Sequence, residues 1–209
     1  MKNVVFIIIA FSLIFLSAFS PVPGDEQDPM ARPYEPRLNE RQPPEQVLKT
    51  IGIKPGMVIG EVGAGSGRYT VEIASRIGPS GKLYANDIQP DVLAYLKLRC
   101  KGRGFNNVEI ILGDVTKTNL PAGALDMVIM VNVVHCLEKP VELLKDISGS
   151  LKPGGLIAIV EGNLDKAPDA AGEWYSRSKL LKIYKDAGYV LVREETFLPK
   201  DNIYILGKK

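Results

Sequence analysis

Residues 57–67, Met57-Val58-Ile59-Gly60-Glu61-Val62-Gly63-Ala64-Gly65-Ser66-Gly67, decide how the rest of the chain folds. Met57 to Val62 is a short apolar run, the mark of a buried strand. It breaks into glycines at alternate positions, Gly63, Gly65 and Gly67. Beyond them Tyr69, Val71, Ile73, Ala74 and Ile77 are apolar, whereas Arg68, Glu72, Ser75 and Arg76 are polar, so a helix follows. Strand, glycine turn and helix together aim backbone N–H groups and a helix N-terminus at a ligand. Glycine serves in such a turn because a Cβ hinders positive φ angles and the close approach of the ligand.

The spacing narrows the choice of ligand. A dinucleotide fingerprint, G-x-G-x-x-G, needs its third glycine at position 68, where Arg68 stands. Glu61 lies just before the turn, and its carboxylate repels phosphate but suits an ammonium or sulfonium group. Lys82 to Asn86 reads as a second strand with Asp87 at its end, about 20 residues past the last glycine. There α/β nucleotide-binding folds place an acid for ribose hydroxyls. Val108 to Leu112 is a third strand, followed by Gly113-Asp114-Val115. Leu125 to Val131 is a fourth, apolar on both faces like a central parallel strand. Asn132-Val133-Val134-His135-Cys136 leaves its carboxyl end, where ligands of open α/β sheets bind.

Helices are expected over Pro44–Ile51, Asp91–Cys100, Pro140–Leu151 and Glu173–Ala187. Lys152-Pro153-Gly154-Gly155 turns the chain into a fifth strand, Leu156–Val160, with Glu161 and Asn163 at its carboxyl end. Tyr189–Phe197 and Asn202–Leu206 form a terminal hairpin around Leu198-Pro-Lys-Asp201. The reading is an α/β Rossmann-like, doubly wound sheet of seven strands, mostly parallel with an antiparallel C-terminal hairpin.

Over residues 45–209 this text resembles the class I S-adenosylmethionine-dependent methyltransferases, whose first motif is an acid followed by G-x-G-x-G. The Lys-Pro-Gly-Gly turn and the terminal hairpin carry the likeness further. The resemblance implies S-adenosylmethionine as cofactor, held by Glu61, Gly63, Ala64, Gly65 and Gly67, by Asp87 and Ile88, and by Asp114 and Val115. In that family the acid after the third strand receives the adenine amine, which falls to Asp114. Asn132 is expected at the methionine part of the cofactor. His135, the sole histidine, lies at the correct rim and is the candidate general base, for acceptors that must lose a proton. Trp174, Tyr175 and Tyr34 are candidate walls for the acceptor.

The acceptor is unidentified. Arsenite methyltransferases share much of this text, but the chain lacks their reactive cysteine set. Two rival functions stand beside methyl transfer: a module that binds the cofactor without catalysis, and a nicotinamide-dependent oxidoreductase. Arg68 and the terminal hairpin oppose the second.

Composition adds little. The 209 residues are 45% hydrophobic and 24% charged with a net charge of +2, which supports a folded core and gives no reason to expect nucleic acid. One histidine and two cysteines argue against a metal site of the usual His/Cys kind. No obligate protein partner is evident. Lys2 precedes an apolar stretch, residues 4–19, so residues 1–20 read as a signal peptide or membrane anchor, and the protein as exported or tethered. Residues 21–44 are rich in proline and charge and read as an extended linker whose second half drapes over the domain. Cys100 and Cys136 fall at opposite rims of the sheet, roughly 17–20 Å apart. Bridged Cα atoms lie about 4.4–6.8 Å apart, so no disulfide is expected between them.

Overall fold

A computed structural model describes residues 28–209. The proposed signal or anchor segment, residues 4–19, lies outside the described residues. Among those described, no helix is long and apolar enough to cross a membrane.

Seven strands, β1 (Val58–Val62), β2 (Lys82–Asp87), β3 (Val108–Leu112), β4 (Leu125–Val131), β5 (Leu151–Gly162), β6 (Tyr189–Glu195) and β7 (Asp201–Lys208), form one sheet. Their order is β3-β2-β1-β4-β5-β7-β6. The first five strands are parallel, and β7 is inserted antiparallel between β5 and β6. This is the Rossmann-like, doubly wound sheet with a terminal hairpin that the sequence predicts.

Helices α2 (Pro44–Ile51), α3 (Arg68–Ile77) and α4 (Pro90–Gly102) cover one face, and α5 (Pro140–Ser150) and α6 (Arg177–Asp186) the other. The period of two along β1 assigns its side chains to these layers. Ile59 joins Tyr69, Ile73 and Ile77 beneath α3, while Val62 joins Leu144, Ile147 and Ile159 beneath α5. Glu61, in register with Ile59, is thereby carried under α3. The sheet order reverses between β1 and β4, which opens the crevice at their carboxyl ends that α/β folds use for ligands.

The larger differences from the sequence reading each have a local reason. Leu125 pairs with Leu151, so β5 begins before the Lys-Pro-Gly-Gly segment and carries an irregularity there. Helix α6 begins at Arg177 instead of Glu173, because Ser176 caps it by accepting the Lys179 N–H. The third correction concerns the linker. Residues Glu35–Arg41 form a helix, α1, with Pro36 in its first turn, where the missing N–H is harmless.

This proline-rich strap is fixed to the domain. Arg99 on α4, almost fully buried, donates to both carboxylate oxygens of Glu35 at 2.8 Å, to Asp28 at 2.8 Å and to the carbonyl of Ser66 at 2.9 Å. Burial works against its charge, but the Glu35 and Asp28 bonds hold the guanidinium pKa above its ordinary value. The Tyr95 hydroxyl donates to the Met30 carbonyl, and the Arg32 guanidinium lies 3.7 Å over the Tyr95 ring.

Candidate active site

The three glycines of the first turn have different surroundings. A Cβ at Gly63 would meet Val133 at 2.4 Å, and one at Gly67 would meet Leu96 at 2.3 Å, so both let neighbouring elements close on the turn. Gly65 has φ +54° and nothing within 4 Å of such a Cβ. It is the open floor of the crevice. Asp87 holds it in place: Oδ2 accepts the Gly65 N–H at 2.9 Å, and Oδ1 accepts the Gln89 N–H at 3.1 Å. The Gly63 and Ala64 N–H groups are taken by the carbonyl of Asn86, both at 2.9 Å. No side chain caps the N-terminus of α3. The turn thus joins the ends of β1 and β2 and leaves a helix terminus facing the crevice, an electropositive site for a carboxylate.

Along the β2–β3 side, Ile88 is 54% exposed, an apolar face suited to a flat ring. Asp114 is exposed, with Oδ1 accepting the adjacent Val115 N–H at 2.6 Å. Glu61 is placed differently from a residue in direct contact with ligand. It is 4% exposed, and its Oε2 accepts the Thr70 hydroxyl at 2.6 Å under the first turn of α3. Burial pushes its carboxyl up to about 8, with Thr70 and Arg68 opposing and Asp87 adding to the shift.

On the β4–β5 side, Asn132 turns out of the strand with φ +57°. Its amide is taken by Gln42, which donates to Oδ1 at 2.9 Å and accepts from Nδ2 at 3.0 Å. Gln42 also bonds Asp201 at 2.9 Å and accepts from Arg68 at 2.8 Å. Two residues beyond the Val133 contact with Gly63, His135 Nδ1 lies 2.5 Å from Oε1 of Glu161. Glu161 is fully buried, and its Oε2 accepts the Val134 N–H at 2.8 Å. The Glu161 hydrogen bond raises the His135 pKa above its ordinary value, against burial.

Outside this dyad Arg41 closes the site. It pairs with the buried carboxylate of Asp201 through Nε and Nη2, and it lies 4.4 Å over the Trp174 ring. Trp174 packs on the backbone of Gly162, where a Cβ would stand 2.5 Å from the indole. Tyr34 meets Ser66 of the glycine turn at 3.0 Å. Tyr34, Leu38, Arg41, Glu173, Trp174 and Lys200 line an adjoining cleft of about 670 Å³. Tyr175 is partly buried against α6, with the Lys179 ammonium 3.4 Å over its ring.

Of the candidate residues, Gly65, Asp87, Asp114, Asn132 and His135 lie at the carboxyl ends of β1–β4, whereas Glu61 is buried under α3 and Tyr175 packs against α6. The sequence reading assigns no role to Glu161, Gln42, Arg41 or Asp201. Glu161 had a signal, since it ends an apolar central strand as Asp87 ends β2. The other three had none, because they converge from opposite ends of the chain.

Residues 60–159 match the family model for the methyltransferase domain. Among curated proteins, the demethylmenaquinone methyltransferase of Geobacillus stearothermophilus is 26% identical over 117 residues, 56% of this chain and 50% of that protein. The protein-L-isoaspartate O-methyltransferase of Ignicoccus hospitalis is 33% identical over 113 residues, 54% of this chain and 51% of its own. The chain thus spans about half the length of the curated relatives it matches. Among solved structures, a SAM-dependent methyltransferase from Aquifex aeolicus aligns with a TM-score of 0.75 and 29% identity, covering 84% of this chain and 93% of that one. An open glycine floor braced by an acid at the end of β2, an uncapped helix terminus and an exposed apolar Ile88 fit the parts of S-adenosylmethionine. The methyltransferase-domain match over residues 60–159 and the shared fold agree with that chemistry, and S-adenosylmethionine is the cofactor they imply.

Proposed function

We propose that this protein transfers a methyl group to an acceptor bound beside His135, between the cofactor crevice and the wall formed by Arg41 and Trp174. The observation that carries this reading is the floor at Gly65, open above and held from the side by Asp87. The Gly63–Gly67 backbone and the α3 terminus would hold the amino-acid end of the cofactor. Asp87 would take the ribose hydroxyls, Ile88 a face of the adenine, and Asp114 with Val115 its edge. When bound, S-adenosylmethionine supplies a methyl group already made electrophilic by its sulfonium. The protein's own contribution is to hold the acceptor in line and exclude water, and proximity of this kind supplies much of an enzyme's acceleration. His135 accepts a proton where the acceptor must lose one.

Titration calorimetry of residues 28–209 with S-adenosylmethionine tests the site. Asp87→Ala and Gly65→Val should each weaken binding at least tenfold, about 1.4 kcal/mol. Equal affinity in both variants would remove the basis of the reading. By their names, the matched relatives act on demethylmenaquinone and on protein L-isoaspartate. Neither acceptor transfers to this chain on identity at this level. The N-terminal apolar stretch, residues 4–19, fits export or tethering of the domain, which protease protection of a tagged full-length protein would test.

A further inference from the structure

Methyl acceptors differ in whether a proton must leave them, and the β4–β5 rim is equipped for that removal. His135 is the only histidine in the chain and keeps 17% of its side chain exposed. Glu161 is fully buried at the end of β5 and spends one oxygen on the Val134 N–H and the other on His135 Nδ1. A buried carboxylate bonded at Nδ1 fixes that nitrogen as the one carrying hydrogen and leaves Nε2 with a free lone pair. No protein group among the described residues hydrogen-bonds to Nε2.

We infer that Glu161 and His135 form a proton-accepting dyad, with Glu161 as the positioning residue, and that the acceptor is a group that loses a proton on methylation. This rests on the methyltransferase reading above. A carboxylate or thioether acceptor has no proton to lose and would leave the Nε2 lone pair idle. The charged groups acting on His135 are Glu161 on β5, Arg41 on α1, itself paired with Asp201 on β7, and Glu173 before α6. Cys136 and Tyr184 feel the Glu161 charge in turn.

The step balances without a further reactant. The acceptor's proton passes to Nε2, the lone pair of its nucleophilic atom forms the bond to the methyl carbon, and the carbon–sulfur pair stays on sulfur. The positive charge lost at the sulfonium reappears on the imidazolium, next to Glu161.

A single histidine makes the dyad directly observable. In the full chain labelled with ¹⁵N-histidine, the neutral ring should be the Nδ1–H tautomer, and the ring should titrate above the ordinary value of about 6.5. Glu161→Gln should lower that midpoint by at least one unit. It should also slow transfer at least tenfold, with the KM for S-adenosylmethionine unchanged. The wild-type rate should rise with pH through the same midpoint, because the base acts only when neutral. An Nε2–H tautomer in the wild type overturns the dyad whether or not the variant folds. Unchanged midpoints in a folded variant do the same. Transfer is read from labelled cofactor to 1,4-naphthohydroquinone, hexanethiol and hexylamine, acceptors that each lose a proton, and transfer to none of the three overturns the proton-accepting role. Cofactor binding, read separately by calorimetry, then shows whether the underlying methyltransferase reading survives.

Discussion

The turn between β1 and α3 and the strap from Asp28 to Gln42 border the same crevice, yet they are specified in opposite ways. The turn is local: its glycines, the Asn86 carbonyl and the Asp87 carboxylate all lie within two successive strand–helix units. The strap depends on distant partners. Glu35 reaches Arg99, 64 positions on, and Arg41 reaches Asp201, 160 positions on. A local motif forms wherever its few residues occur, whereas a strap of this kind exists only after the sheet has brought its partners together.

The largest effect should come from the strap. Arg99→Met leaves the Glu35 carboxylate buried without its cation and Asp28 with Arg103 alone, a change that typically costs about 3–5 kcal/mol. Urea denaturation should show this loss, and a drop below about 1 kcal/mol would mean that the strap is only loosely attached. In the turn, Gly63→Val presses on Val133 and should cost roughly 1–3 kcal/mol by overpacking alone. Native stability near that of the wild type would refute the close approach of β1 and β4 there.

Glu61 gives a pH test of the turn. Its folded pKa of about 8 exceeds the ordinary 4.5, so the native state keeps a proton that the unfolded chain releases between those values. The contribution is therefore present at low pH and lost as pH rises toward 8, by roughly 2 kcal/mol between pH 6 and 8. His135, also raised, acts in the same direction. Glu61→Gln should flatten this decline in the cofactor-free protein, and thermal melts at several pH values would reveal a parallel curve if the assignment is wrong.

Smaller still is Gly65→Ala. It meets no neighbour within 4 Å and bears only the strain of a positive φ, about 1–2 kcal/mol. Its main effect should fall on cofactor affinity, the reverse of Gly63. As a surface reference, Arg177→Ala breaks an exposed pair with Glu194 and should cost no more than about 1 kcal/mol.

Several features were readable before any coordinates. The apolar runs at 57–62, 108–112 and 125–131 match those strands to within a residue, and Asp87 falls where a strand end has to place it. The helix at 35–41 was hidden because Pro36 and the surrounding charges have the composition of a linker. Glu61 adjoins the glycines in sequence, which suggests a side chain facing the ligand. The two-residue period of β1 instead turns it under α3, onto Thr70.

By itself the sequence determined the order of strands and helices, the glycine turn and the acids that end the central strands. Each of these is set by periodicity, backbone freedom and nearest-neighbour chemistry. The tertiary structure alone decided that Glu161 faces His135, that Gln42 takes the amide of Asn132, and that Arg41 lies between Asp201 and Trp174. Those pairings join residues from different elements, and their distances follow from sheet register and helix packing, which no short stretch of chain encodes.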